Sequence, residues 1–95
     1  SGPAYFFYLM EEMIRAGVRL GLGPRVARTL VLATAKGAAC LAAGSGEDTK
    51  ALRARVTSKG GTTEAAFRAF EKARLGKPLR AGIHAAAKRS KELSR

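Results

Sequence analysis

Ninety-five residues make one domain's worth of chain, with 46% hydrophobic residues, 6% aromatics, no Trp and a formal net charge of +11. A chain of this size buries only roughly 60 to 70% of the surface its unfolded form exposes, so a lone monomer is marginal and burial against a second subunit is favoured. One cysteine, Cys40, and one histidine, His84, exclude a disulfide or a Cys/His metal site within one chain, and suit a reducing, cytoplasmic setting.

In chain order, Pro3 fits the first turn of a helix because its missing N–H would be unpaired there, with Ser1 or Gly2 ahead of it as a cap. The run from Ala4 through Met13, Ile14, Val18 and Leu20 is apolar on nearly every side, the pattern of a helix buried all round. Gly21, Gly23 and Pro24 break it and start a second helix, expected over about Arg25 to Ala43. Its Gly37, Ala38, Ala39, Ala42 and Ala43 allow a neighbouring backbone to approach, and Gly44 is its expected C-terminal cap. Asp48 or Thr49 can cap a short third helix to about Val56. After the loop Thr57-Ser58-Lys59-Gly60-Gly61-Thr62-Thr63, a fourth helix is expected from Thr63 to Arg74, with Ala66, Phe67 and Phe70 on one face. Gly76 should stop it and Pro78 start a fifth, striped by Ile83, Ala86, Ala87 and Leu93. No strand signal is present, so the fold class is all-α with about five helices.

The charge invites a nucleic-acid reading, but its distribution weakens that. Residues 1 to 44 carry five Lys/Arg against Glu11 and Glu12, and residues 45 to 95 carry thirteen against five acids. The basic run Lys88 to Arg95 looks like the solvated face of a terminal helix, where cations complement the dipole. The second helix offers mainly Arg25, Arg28, Thr29 and Lys36 among aliphatics, too few polar groups to read bases. The apolar stretch from Thr29 to Leu41 is interrupted by Lys36 and falls short of the ~20 residues a membrane span needs. No signal peptide is visible, and the chain begins at Ser1 rather than Met, as a fragment would.

Most constellations have bland explanations. Gly21-Leu22-Gly23 resembles the start of a dinucleotide fingerprint, but the third glycine falls at Val26 and no strand precedes it. Glu11 and Glu12 are sequence neighbours and do not face each other on a helix. His84 lacks a nucleophile or acid in any evident arrangement, and Cys40 reads as a small core hydrophobe. The Thr57 to Thr63 loop is different in kind. Two glycines, several hydroxyls and a following helix N-terminus can form an anion-binding nest, against the alternative of an ordinary capped loop.

Taken together, Ser1-Gly2-Pro3-Ala4-Tyr5, Ala16-Gly17-Val18-Arg19-Leu20-Gly21-Leu22 and Val56-Thr57-Ser58-Lys59-Gly60-Gly61-Thr62-Thr63 resemble signature stretches of the C-terminal half of pyrroline-5-carboxylate reductases. The resemblance covers essentially the whole chain. It implies a helical dimerisation and substrate-binding domain over residues 1–95, interlocking with a twin in a homodimer that commonly assembles further. The NADPH or NADH of such enzymes belongs to a Rossmann domain outside this chain. It further implies that Ser58, Gly60, Gly61 and Thr62 contact the carboxylate of 1-pyrroline-5-carboxylate, and that the Thr63 hydroxyl reaches toward the ring nitrogen as the catalytic side chain. Arg55 occupies a position that touches the cofactor in relatives. Lys59 departs from the family, which usually has proline there. Direct hydride transfer onto the C=N carbon requires no metal. Two other classes stay open, a non-catalytic helical dimerisation module and a basic nucleic-acid-binding helical domain.

Overall fold

The computed structural model describes residues 1–94, which form five helices and no strand. They are α1 (Gly2–Arg19), α2 (Pro24–Ser45), α3 (Thr49–Arg55), α4 (Thr62–Lys72) and α5 (Gly76–Leu93). The chain divides into two compact units, Ser1–Thr49 and the residues from Lys50 onward.

The first unit is a hairpin in which α1 packs against α2. Its turn is written in the glycines. Gly21 takes φ +109, and the Gly21 and Leu22 N–H groups donate to the Val18 and Gly17 carbonyls at 3.0 and 3.1 Å. That pair of bonds satisfies carbonyls which the end of α1 would otherwise leave unpaired. Pro24 then opens α2 where no N–H is needed. A Cβ added at Gly17 would stand 3.3 Å from the Ala27 Cβ and 3.4 Å from Leu22 Cδ1. Gly17 therefore sets how closely the two helices approach, and Ala27, only 1% exposed, is the centre of that contact.

Four expectations for this unit need correction. The helix α2 does not end at Gly44: it runs to Ser45, and Gly46 at φ +69 is the left-handed cap. Of two nearby glycines the second turns the chain, while the Ser45 hydroxyl accepts a hydrogen bond from the Glu47 N–H at 3.1 Å. Nor is α1 buried all round, since no α1 residue is buried within one chain. Cys40 is likewise exposed rather than in the core. Among the described residues only Ala27 and Val31 are buried, because the apolar faces of the hairpin exceed what two helices can cover for each other. Finally, α2 measured over its full 22 residues is long and apolar enough, by length and composition only, to cross a membrane. The apolar segment Thr29 to Leu41 is only part of that helix.

The second unit contains α3, α4 and α5. The Phe67 and Phe70 rings meet edge-on at 5.3 Å and 82°, and the Arg53 guanidinium lies 4.9 Å from the centre of the Phe67 ring. Both contacts use the apolar side of α4 that the sequence places there. The end of α4 departs from expectation. Lys72 is its last residue, and Arg74 rather than a glycine takes the left-handed conformation, φ +53. The Arg74 and Leu75 N–H groups donate to the Glu71 and Phe70 carbonyls at 3.0 and 3.1 Å, the same paired closure that ends α1. Gly76 consequently begins α5 instead of stopping α4. Pro78 lies in the first turn of α5, where helical N–H groups have no partners to lose.

Candidate functional site

The segment between α3 and α4 is built from its backbone upward. At its start, the Thr57 hydroxyl donates to the Arg53 carbonyl at 2.6 Å and the Thr57 N–H donates to Ala54 at 3.1 Å. These bonds close the last turn of α3. The Gly61 N–H then donates to the Ser58 carbonyl at 3.0 Å, making Ser58-Lys59-Gly60-Gly61 a β-turn. Its third position, Gly60, has φ +75, the value a type II turn requires and a side chain resists. Gly61 is extended at φ −89, ψ −177 and caps α4. Here the constraint is space: a Cβ at Gly61 would lie 3.2 Å from the Ser58 carbonyl oxygen and 3.3 Å from the Ser58 Cβ.

The sequence-expected residues Ser58, Gly60, Gly61, Thr62 and Thr63 are thus brought together in one turn and the first helical residues after it. The first helical bond of α4 is donated by the Ala65 N–H to the Gly61 carbonyl at 3.2 Å. The N–H groups of Thr62, Thr63 and Glu64 precede that ladder, and no side-chain hydrogen bond caps this end. Donors at the positive end of an 11-residue helix form a place where a carboxylate is favoured. Gly61 and Thr63 are half-buried, while Ser58, Gly60 and Thr62 are exposed.

Glu64 is a residue that the sequence reading missed. Its Oε1 accepts from the Gly60 N–H at 3.1 Å and from Arg68 at 2.9 Å. The available signal was its spacing, a carboxylate three residues after the N-cap, from which side chains reach back to donors ahead of the helix. Because Gly60 gives its N–H to Glu64, that donor is already used, and the space beside Gly60 where a side chain would stand is open. Beside the turn, a groove of about 480 Å³ is lined by Lys50, Arg53, Ala54, Thr57, Glu64, Phe67, Arg68 and Glu71.

The remaining candidates lie elsewhere. Arg55 ends α3 and is exposed. His84 lies on α5 with Ile83, Ala87, Lys88 and Lys91 around a shallow surface depression. Glu12 pairs with Arg15 at 2.7 Å on the surface of α1. Among the described residues no group of three or more His, Cys, Asp or Glu side chains is placed to hold a metal ion.

Residues 1–93 match the family described as pyrroline-5-carboxylate reductase dimerisation. The pyrroline-5-carboxylate reductase of Pseudomonas aeruginosa is 47% identical over 94 residues, covering 99% of this chain and 34% of that protein. Pyrroline-5-carboxylate reductase 1 of Bacillus spizizenii is 43% identical over 94 residues, covering 99% of this chain and 32% of that protein. The crystal structure of Plasmodium falciparum pyrroline carboxylate reductase with NADP bound superposes with a TM-score of 0.93 at 31% identity, over 99% of this chain and 36% of that one. The chain spans about a third of the length of these relatives and corresponds to their C-terminal part. With the five-helix order and these matches in agreement, the chain belongs to the pyrroline-5-carboxylate reductase dimerisation family.

Proposed function

We propose that this chain is the C-terminal dimerisation and substrate-binding part of an enzyme that reduces 1-pyrroline-5-carboxylate to L-proline with NADPH or NADH. The observation that carries the substrate assignment is the uncapped start of α4 behind the Ser58 to Gly61 turn. The substrate has one fixed charge, its carboxylate. N–H groups of Thr62, Thr63 and Glu64 at a helix N-terminus are suited to receive it without any ordering at the moment of binding. Ser58, Gly60 and Gly61 shape the approach, and the hydroxyl of Thr63, a half-buried residue, is assigned to the ring nitrogen, where it holds the C=N group in line.

The nicotinamide, when bound, supplies the hydride. The described residues contain no strand and hence no phosphate-binding strand–turn–helix. The cofactor is therefore assigned to another part of the protein, with the exposed Arg55 as one cationic contact to it from this chain. The apolar faces of α1 and α2 are assigned to a second copy of the chain in a homodimer, and not to a membrane or nucleic acid. Reaction in the cytoplasm suits a chain with one free thiol and no disulfide.

The test is steady-state kinetics of the complete reductase. Gly61→Val pushes a branched side chain against the Ser58 carbonyl, where contact already begins at 3.2 Å. It should raise the KM for pyrroline-5-carboxylate by roughly 10- to 100-fold, the loss of about one to two charge-assisted hydrogen bonds. Thr63→Ala should instead lower kcat by about tenfold, since its interaction belongs to the reacting nitrogen. Wild-type kinetics in both variants would remove the loop from the substrate site.

A further inference from the structure

We infer that Glu64 is a positioning residue that holds the carboxylate loop in its receiving conformation, a role that rests on the substrate reading above. The chain is unusually free at this point. Two consecutive glycines have more backbone conformations to lose than any other pair, and the Ser58–Gly61 bond of 3.0 Å is a single tie across the turn. The Glu64 carboxylate supplies a second, bonding the Gly60 N–H at 3.1 Å from the first turn of α4. With that bond in place, Gly60 is held at φ +75 and the turn is fixed to the same helix whose N-terminus receives the ligand. Ordering the loop before binding removes a cost that the substrate would otherwise bear.

A carboxylate so near an anion site would repel its ligand if left unbalanced. Arg68 answers this at 2.9 Å on the same Glu64 oxygen, one helical turn further on, so the pair is close to neutral as seen from the turn. Glu64 is also the more sheltered partner, its side chain 34% exposed against 75% for Arg68. That order suits a fixed acceptor with a mobile counter-ion. The acceptor, not the charge, does the positioning: one oxygen toward the Gly60 N–H is enough, and a glutamine retains it.

The experiment compares Glu64→Ala, Glu64→Gln and wild type in the complete reductase by two readouts. These are KM and kcat for pyrroline-5-carboxylate, and hydrogen exchange of the Gly60 amide. Glu64→Ala should raise KM about tenfold with kcat within twofold, and should accelerate Gly60 exchange about tenfold, the loss expected for one hydrogen bond to a charged group. Glu64→Gln should bring both within about threefold of wild type. Unchanged Gly60 exchange in Glu64→Ala, an unchanged KM, or a glutamine variant as defective as the alanine would each overturn the inference. Failure of the substrate reading itself looks different: Gly61→Val and Thr63→Ala would then leave kinetics untouched, while Gly60 exchange would still respond to Glu64→Ala.

Discussion

Arg74 holds a conformation that its side chain opposes, φ +53, at the position after α4 where a glycine is the usual occupant. The backbone closure there is complete, with Arg74 and Leu75 bonded to Glu71 and Phe70, so the strain comes from the Cβ alone. A left-handed residue with a Cβ is disfavoured by roughly 1–2 kcal/mol, and glycine gives back part of that through its freer unfolded chain. Arg74→Gly should therefore stabilise the protein by about 0.5–1 kcal/mol, raising the melting temperature by a few degrees in a chain of this size. A melting temperature that falls would show that the arginine side chain holds a contact worth more than its strain. Lys59 presents a related case. It is the second residue of the Ser58–Gly61 turn, where φ near −60° is required and proline is favoured. Lys59→Pro should add about 0.4–1 kcal/mol by restricting the unfolded chain, checked by denaturant titration at constant slope.

At the scale of elements, the sequence specifies what is local. The Gly21-Leu22-Gly23-Pro24 break is unambiguous, because one glycine takes φ +109 and the proline can open but not continue a helix. The glycine turn and hydroxyls of the candidate site are legible for the same reason. What escapes are choices made by competition. Gly44 and Gly46 are equally able to end α2, and only the folded chain shows the second doing so. An arginine in the left-handed region carries no signature at all, so the end of α4 at Lys72 is not legible in the sequence. Glu64 stands out only in the folded chain, where its carboxylate accepts from the Gly60 N–H. At Gly17 a Cβ meets Ala27 at 3.3 Å and Leu22 at 3.4 Å, a gap that can yield by tenths of an ångström but not by a side chain. Gly17→Ala should be near neutral, its crowding offset by the better helix propensity of alanine, about 1 kcal/mol. Gly17→Leu should force α1 from α2 and destabilise by about 1–3 kcal/mol, seen as a lower urea midpoint. Equal stability of the two variants would mean that the helices are not held at this crossing.

For the molecule as a whole, the deciding observation is how little one chain buries. Among the described residues only Ala27 and Val31 reach the interior, whereas ordering each residue's backbone opposes folding by about 1–2 kcal/mol. Two small buried side chains cannot offset that. The missing contribution stands on the surface: Phe6, Phe7 and Tyr8 of α1 are 65%, 65% and 63% exposed, with Leu9, Val26, Leu30 and Leu41 each above half. Burying a large apolar side chain contributes about 1.5–3 kcal/mol, so a handful of these against a second copy outweighs anything the single chain contains. Folding and association should then be one event. Its stability must rise by about 1.4 kcal/mol for each tenfold increase in protein concentration, as mass action requires of a dimer that unfolds to free chains. Melting curves recorded over two decades of concentration should shift upward accordingly, and sedimentation at the upper end should give twice the 10.0 kDa chain mass. Phe7→Asp places a charge in the apolar face of α1 at a side chain that is 65% exposed in one chain. It should abolish the dimer and, with it, the cooperative melt. A concentration-independent transition from a folded 10.0 kDa species would instead mean that the hairpin stands alone, and that its exposed apolar face serves something other than a second copy.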